Sequence, residues 1–99
     1  MSVLVITKFS GDTATFRQGL EERTAEFQKV VSTAQGQGCL HHQFGIGDGF
    51  ALVVDEWESV EQFQQFMADP DVQAFIASTG ASPEPPLVIV AEALAVTKY

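Results

Sequence analysis

Residues 3–9, VLVITKF, carry apolar and β-branched side chains at nearly every position and stop at SGD, which predicts a first strand. From residue 13 the period changes. Phe16, Leu20, Phe27, Val30, Val31 and Ala34 recur at helical spacing, the stripe of one amphipathic helix over about residues 13 to 35. Asp12 or Thr13 supplies a cap for its start, and Gly36 or Gly38 an end. Next, CLHHQFGIGDGFALVVDEW (39–57) holds two strand-like runs around Gly-Asp-Gly, where Gly47 and Gly49 tolerate positive φ and Asp48 favours a turn. That pattern predicts a β-hairpin. Ser59 with Gln62 three residues on reads as a capping box, and Phe63, Phe66 and Met67 form the inward stripe of a short helix. DPDVQAFIAS restarts the helix with Pro70 near a first helical position. TGASPEPP reads as a loop, and LVIVAEALAV (87–96) as a final strand.

The order βαββαβ in a single domain (1–99) is met most economically by an α+β fold. Its sheet is four-stranded and antiparallel, with the helices on one face. In such a fold the strands should alternate apolar with polar, because their second face meets water. VLVI, FALVV and LVIVA do not. They are apolar on both faces, so the uncovered face must be hidden, and a second copy of the chain is the simplest cover. Burial of roughly 800 Å² per partner at about 25 cal/mol per Å² would give a gross term of about 20 kcal/mol for each partner before association costs. A homodimer through sheet faces is therefore expected.

Charge narrows the partners. Thirteen acidic residues against five basic ones give a formal net charge of −8, which repels phosphate backbones and anionic membrane surfaces. Neither nucleic acid nor membrane is an expected partner. No Lys or Arg occurs between Lys29 and Lys98, so polyanionic substrates are disfavoured. One cysteine, Cys39, has no internal disulfide partner. It fits a reducing compartment, and the start MSVLVITKFSG lacks a signal-peptide pattern, so a cytoplasmic location is expected. Gly-Ile-Gly-Asp-Gly joins two strands and does not open a helix, so it is no phosphate loop.

The residues with chemistry are few. His41 and His42 are adjacent in a strand and must point to opposite faces. Counting by twos places His42 with Leu40, Phe44 and Ile46, and His41 with Cys39 and Gln43. His42, on the more apolar face, is the better candidate base if that face lines a pocket; a hydrogen-bonded structural histidine is the competing reading. Asp55, expected to be solvent-exposed at a strand end, is the weaker alternative base. Trp57 is a core aromatic or, in a functional role, a stacking wall for a planar substrate. Eight phenylalanines against one tyrosine make any cavity greasy. Cys39 is expected to be inert and buried, and neither a metal nor a cofactor site is expected.

This order and length, with VVDEWESVEQFQQFMADPDVQAF following a glycine-turned hairpin, resemble the antibiotic biosynthesis monooxygenase family. The resemblance covers essentially the whole chain and implies a ferredoxin-like domain paired into a dimeric α/β barrel. It implies a pocket between sheet and helices, lined by Thr7, Phe44, Trp57, Phe63, Phe66 and Phe75. Haem-degrading relatives would carry Asn, an aromatic and His where this chain has Thr7, Phe66 and Phe75, so haem chemistry ranks last. The function implied is a cofactor-independent monooxygenase, or a related proton-abstracting enzyme, acting on a small planar aromatic or polyketide-like molecule. The alternative is a non-catalytic dimeric module that binds an apolar small molecule or a protein.

Overall fold

In the computed structural model residues 2–94 are described. Strand β1 (Val3–Ser10) leads into helices α1 (Thr13–Glu22) and α2 (Thr24–Gly36), and the hairpin β2 (Cys39–Gly47) and β3 (Phe50–Trp57) follows. Helices α3 (Val60–Ala68) and α4 (Pro70–Ala77) then return the chain to β4 (Leu87–Glu92). The sheet order is β2-β3-β1-β4 with every neighbouring pair antiparallel, the ferredoxin-like arrangement expected from the sequence.

Local chemistry explains most boundaries. Asp12 caps α1 by accepting from the backbone N–H groups of Ala14 (3.0 Å) and Thr15 (3.2 Å). These bonds and the Thr15 hydroxyl hold its carboxyl below the usual carboxylate range, with the Thr15 backbone bond the largest cause. Ser59 caps α3 through the Gln62 N–H, and Asp69 caps α4 with Pro70 at its first turn. Gly49 adopts φ +79° in the hairpin turn, a conformation that L side chains avoid.

Two boundaries differ from expectation. The single helix over 13–35 is in fact two, interrupted at Arg23 (φ −119°, ψ 34°), whose N–H still reaches the Gly19 carbonyl at 2.7 Å. The Thr24 hydroxyl donates to the Leu20 carbonyl (2.8 Å), the side-chain competition for backbone that bends helices. The break brings Phe16 of α1 and Phe27 of α2 edge-to-face at 5.9 Å, over the same end of the sheet. The last strand ends at Glu92, short of the expected 96; residues 95 and 96 lie outside the described residues.

Register assigns the two faces. Opposed residues of an antiparallel pair share a face, so Val5, Thr7, Ala51, Val53, Asp55, His42 and Phe44 all point toward the helices. Leu4, Ile6, Leu52, Val54, Leu87 and Ile89 point the other way, with Lys8 and Gln43 among them. Under the helices lie two clusters, one around Val5, Trp57 and Phe63 and the other around Phe16, Phe27 and Ala51. The opposite face has no cover among the described residues, and Leu87 and Ile89 are 60% and 51% exposed. Strands apolar on both faces are thus observed, one face packed and the other bare.

Candidate active site

Between the sheet and the helices lies a cavity of about 90 Å³. Thr7, His42, Phe44, Val53 and Asp55 form its floor, and Phe16, Phe27, Phe63, Phe66 and Phe75 hang over it from all four helices. At one end it reaches the turn Ser10–Thr13 and the segment Thr79–Ala81. These two segments are stitched together by Asp12 N–H to the Gly80 carbonyl (3.0 Å) and Ser82 N–H to the Ser10 carbonyl (2.7 Å). Gly80 sits at φ +92°, and a Cβ there would come within 2.9 Å of Thr15, so the close approach requires glycine.

The polar feature of this cavity is a chain of hydrogen bonds across adjacent strands. His42 and Asp55 are direct cross-strand partners, and His42 Nδ1 lies 2.6 Å from Asp55 Oδ1. Trp57 Nε1 donates to the other carboxylate oxygen at 3.1 Å. An ionised carboxylate only accepts, so Nδ1 carries the ring hydrogen and Nε2 is left with a lone pair. His42 Nε2 is buried and has no partner among the described residues. The ring is braced edge-to-face by Phe44 at 4.5 Å and 88°. The arrangement can do one thing well: accept a proton from a molecule in the cavity, while Asp55 holds the ring and stabilises the imidazolium that results.

Several expectations change here. Asp55 is not exposed at a strand end but 6% exposed, because the cross-strand pairing tucks it under α3 and α4 with two donors to satisfy it. Trp57 is fully buried and does not line the cavity; its indole packs on Phe63 and Phe66, and its N–H orients Asp55. Cys39 also moves face. It pairs with Trp57 while His41 pairs with Glu56, so Leu40 is the extra residue of a β-bulge. The bulge puts Cys39 on the same face as His42 and sends Leu40 out to solvent, the reverse of the even count. Burial, and secondarily the Asp55 charge, pushes the Cys39 thiol up to about 11, so it is protonated and inert as a nucleophile at neutral pH. Thr7, Phe44, Phe63, Phe66 and Phe75 all line the cavity, and Phe9, Phe16 and Phe27 join them. Phe27 was visible in the sequence only as a member of a helical stripe.

No Lys or Arg lines the cavity among the described residues. Lys8 sits over the Phe50 ring at 4.6 Å, and Arg23 is engaged by Glu26 and Ser78. Phe75 offers no ligand atom to a haem iron, and no Lys or Arg lines the cavity among the described residues to pair with propionates. The residues present therefore do not fit haem.

The chain has a ferredoxin-like α+β fold that it shares with solved structures, among them antibiotic biosynthesis monooxygenases. Over 99% of this chain and 98% of the other, it is similar to SnoaB, a cofactor-independent oxygenase from Streptomyces nogalater, with TM-score 0.67 and 14% identity. The monooxygenase from the gene ActVA-Orf6 of Streptomyces coelicolor, in complex with nanaomycin D, superposes with TM-score 0.67 at 18% identity over 95% of this chain and 88% of that one. Rv0793 from Mycobacterium tuberculosis gives 0.66 at 18% over 99% and 100%. No family model and no curated protein sequence matches the chain. Identities this low establish the fold, and the reaction must be argued from the site.

Proposed function

We propose that the chain is a cofactor-independent monooxygenase in which His42 is the base, acting on a small, neutral, planar aromatic molecule. The single observation that carries the reading is the buried, unpartnered His42 Nε2 beside an apolar cavity, with Nδ1 fixed by Asp55. The substrate would surrender a proton from a C–H or O–H group to Nε2, and the resulting electron-rich anion would react with O₂. One oxygen atom enters the substrate and the other leaves as water; conversion of a ring methylene to a carbonyl supplies the four electrons that this requires. A dry, phenylalanine-lined cavity excludes bulk water and leaves the proton only one place to go. Thr7, buried on the cavity floor, supplies a hydroxyl to orient the ligand. The cavity volume of about 90 Å³ is below the roughly 300–1,000 Å³ of common ligand pockets, which favours a single ring over a fused polycycle. The absence of a cation from the lining favours an uncharged one.

The same reading takes the bare sheet face as the contact for a second copy of the chain. Leu4, Ile6, Leu52, Val54, Leu87 and Ile89 make that face mostly apolar, with Lys8 set between Leu52 and Leu87, and water does not favour it. Among the described residues no helix is long and apolar enough to cross a membrane.

The test is oxygen uptake over a panel of single-ring phenols and enolisable aromatic ketones, with wild type and His42→Ala compared on any substrate that turns over. Loss of uptake with retained ligand binding is expected. Unchanged uptake in His42→Ala would overturn the assignment, and binding without uptake throughout the panel would make this a ligand-binding module.

A further inference from the structure

The β-bulge at Leu40 has a chemical consequence beyond the base. By returning Cys39 to the helix-facing side, it brings a thiol, an imidazole and a carboxylate together: one ligand atom each from Cys39, His42 and Asp55 lie within 4.8 Å of one another. We propose that these three side chains form a binding site for a divalent transition metal of zinc or cobalt type. A tetrahedral zinc site has metal–sulfur and metal–nitrogen distances of roughly 2.3 and 2.0 Å, so its ligand atoms lie some 3–4 Å apart. Fitting an ion asks for side-chain shifts of about an ångström, the thiol moving in and the 2.6 Å His42 Nδ1–Asp55 Oδ1 pair opening.

Three further features suit a cation. Thiolate plus carboxylate cancels a dipositive charge, leaving a neutral assembly in a place where net charge is costly. Asp55 already has one oxygen held by Trp57 Nε1, which is how outer partners orient a ligating carboxylate, and an ion would take the other oxygen in place of its hydrogen bond from His42 Nδ1. His42 and Asp55 line the cavity, so a water or a ligand atom can complete the coordination from that side. A thiol, an imidazole and a single carboxylate select zinc- or cobalt-like ions over Mg²⁺ and Ca²⁺, which want oxygen. Binding displaces the thiol hydrogen of Cys39, now donated to the His41 carbonyl at 3.2 Å, and releases one proton to solvent. Whichever imidazole nitrogen the metal takes, the Nε2 lone pair is lost, either to the metal or to the ring hydrogen displaced from Nδ1. Metal occupancy and action of His42 as a base therefore exclude each other.

The experiment is titration of Co²⁺ into the reduced, chelator-treated full chain, followed by absorption. A thiolate-to-cobalt charge-transfer band with tetrahedral visible bands, saturating at one ion per chain, is expected. Cys39 is the chain's one cysteine, so such a band can come from nowhere else. Cys39→Ser should lose the band and weaken binding roughly tenfold or more. Weak octahedral bands, identical in wild type and Cys39→Ser, would assign the cobalt to the acidic surface and overturn the proposal; so would no binding. The readout needs no turnover, so it stands or falls separately from the oxygenase reading.

Discussion

His41 and His42 divide the molecule between them. His42 faces inward, paired across the strands with Asp55, backed by Phe44 and roofed by helices; its neighbour faces outward, opposite Glu56, at the margin of a sheet of bare leucine, isoleucine and valine. The inward face is completed within the chain: Asp55 has both oxygens bonded, Trp57 and Val5 have no exposed surface, and among the described residues the one buried side-chain polar atom left without a partner is His42 Nε2. The outward face is completed by nothing among the described residues. What the contrast teaches is that an unmet need takes different forms on the two faces. On one it is a single lone pair at a cavity, the mark of a reactive site; on the other it is a broad apolar area, the mark of a contact surface.

Breaking the inward face should have the largest effect. His42→Ala is expected to lower turnover by about 10²–10⁴-fold, the usual worth of a positioned base, while leaving the dimer intact. Asp55→Asn should fall nearly as far without changing side-chain volume, because an amide can donate to Nδ1 and so force the ring hydrogen onto Nε2. Steady-state oxygen uptake and sedimentation on the same preparations check both. The outward face is tested by Ile89→Glu. Two buried, unpaired carboxylates in a symmetric contact should raise the dimer dissociation constant by at least ~100-fold, about 3 kcal/mol. Sedimentation of the wild type as a stable monomer at micromolar concentration would remove the contact from the argument.

The frame of this fold was legible in the sequence because it rests on local signals. Asp12 and Ser59 cap the helices that their positions advertise, Pro70 opens the next, Gly49 takes the turn, and strands apolar on both sides announce a face with no cover. His42 could be placed on the inward face by its neighbours Phe44 and Ile46. The second half of the site was not legible. The burial of Asp55 depends on which residue of β2 lies across from it, a long-range register that no local pattern encodes. The side taken by Cys39 depends on one extra residue, Leu40, and a period-two count cannot see a bulge. The break at Arg23 has a similar cause, since the helical stripe continues through it and only the Thr24 hydroxyl and the packing of Phe16 on Phe27 set the bend.

A smaller effect separates the faces by pH. The Cys39 thiol is raised from 9.0 in the free chain to about 11 in the fold. The neutral thiol is thus favoured by folding, and its stabilisation is whole below pH 9 and is lost as pH climbs from 9 through 11, where the unfolded chain gives up its proton first. Cys39→Ser lacks this dependence. The difference in unfolding free energy between wild type and Cys39→Ser, measured by urea titration at pH 8 and pH 11, should therefore shrink by about 1–2 kcal/mol across the window. A constant difference would mean that the thiol is not enclosed on the inward side.

The smallest effect concerns how firmly the helices are held over the cavity. Arg23, at the break between α1 and α2, donates to the Ser78 carbonyl (3.3 Å) and hydroxyl (3.0 Å) just beyond α4, and its guanidinium lies 5.2 Å from the centre of the Phe75 ring that overhangs the cavity. Its ion pair with Glu26 is at the surface, where such pairs contribute little, and its contact with Phe75 is likewise that of an exposed cation. Arg23→Ala should therefore lower the thermal midpoint only slightly and leave the proposed sheet-face dimer untouched. Arg23→Lys keeps the charge but not the planar fork that reaches Ser78 and Glu26 at once. If thermal unfolding shows the lysine variant as weak as alanine, the fork fastens α4 over Phe75; if lysine restores the wild-type midpoint, charge alone suffices and the helices owe their position to the phenylalanines beneath them.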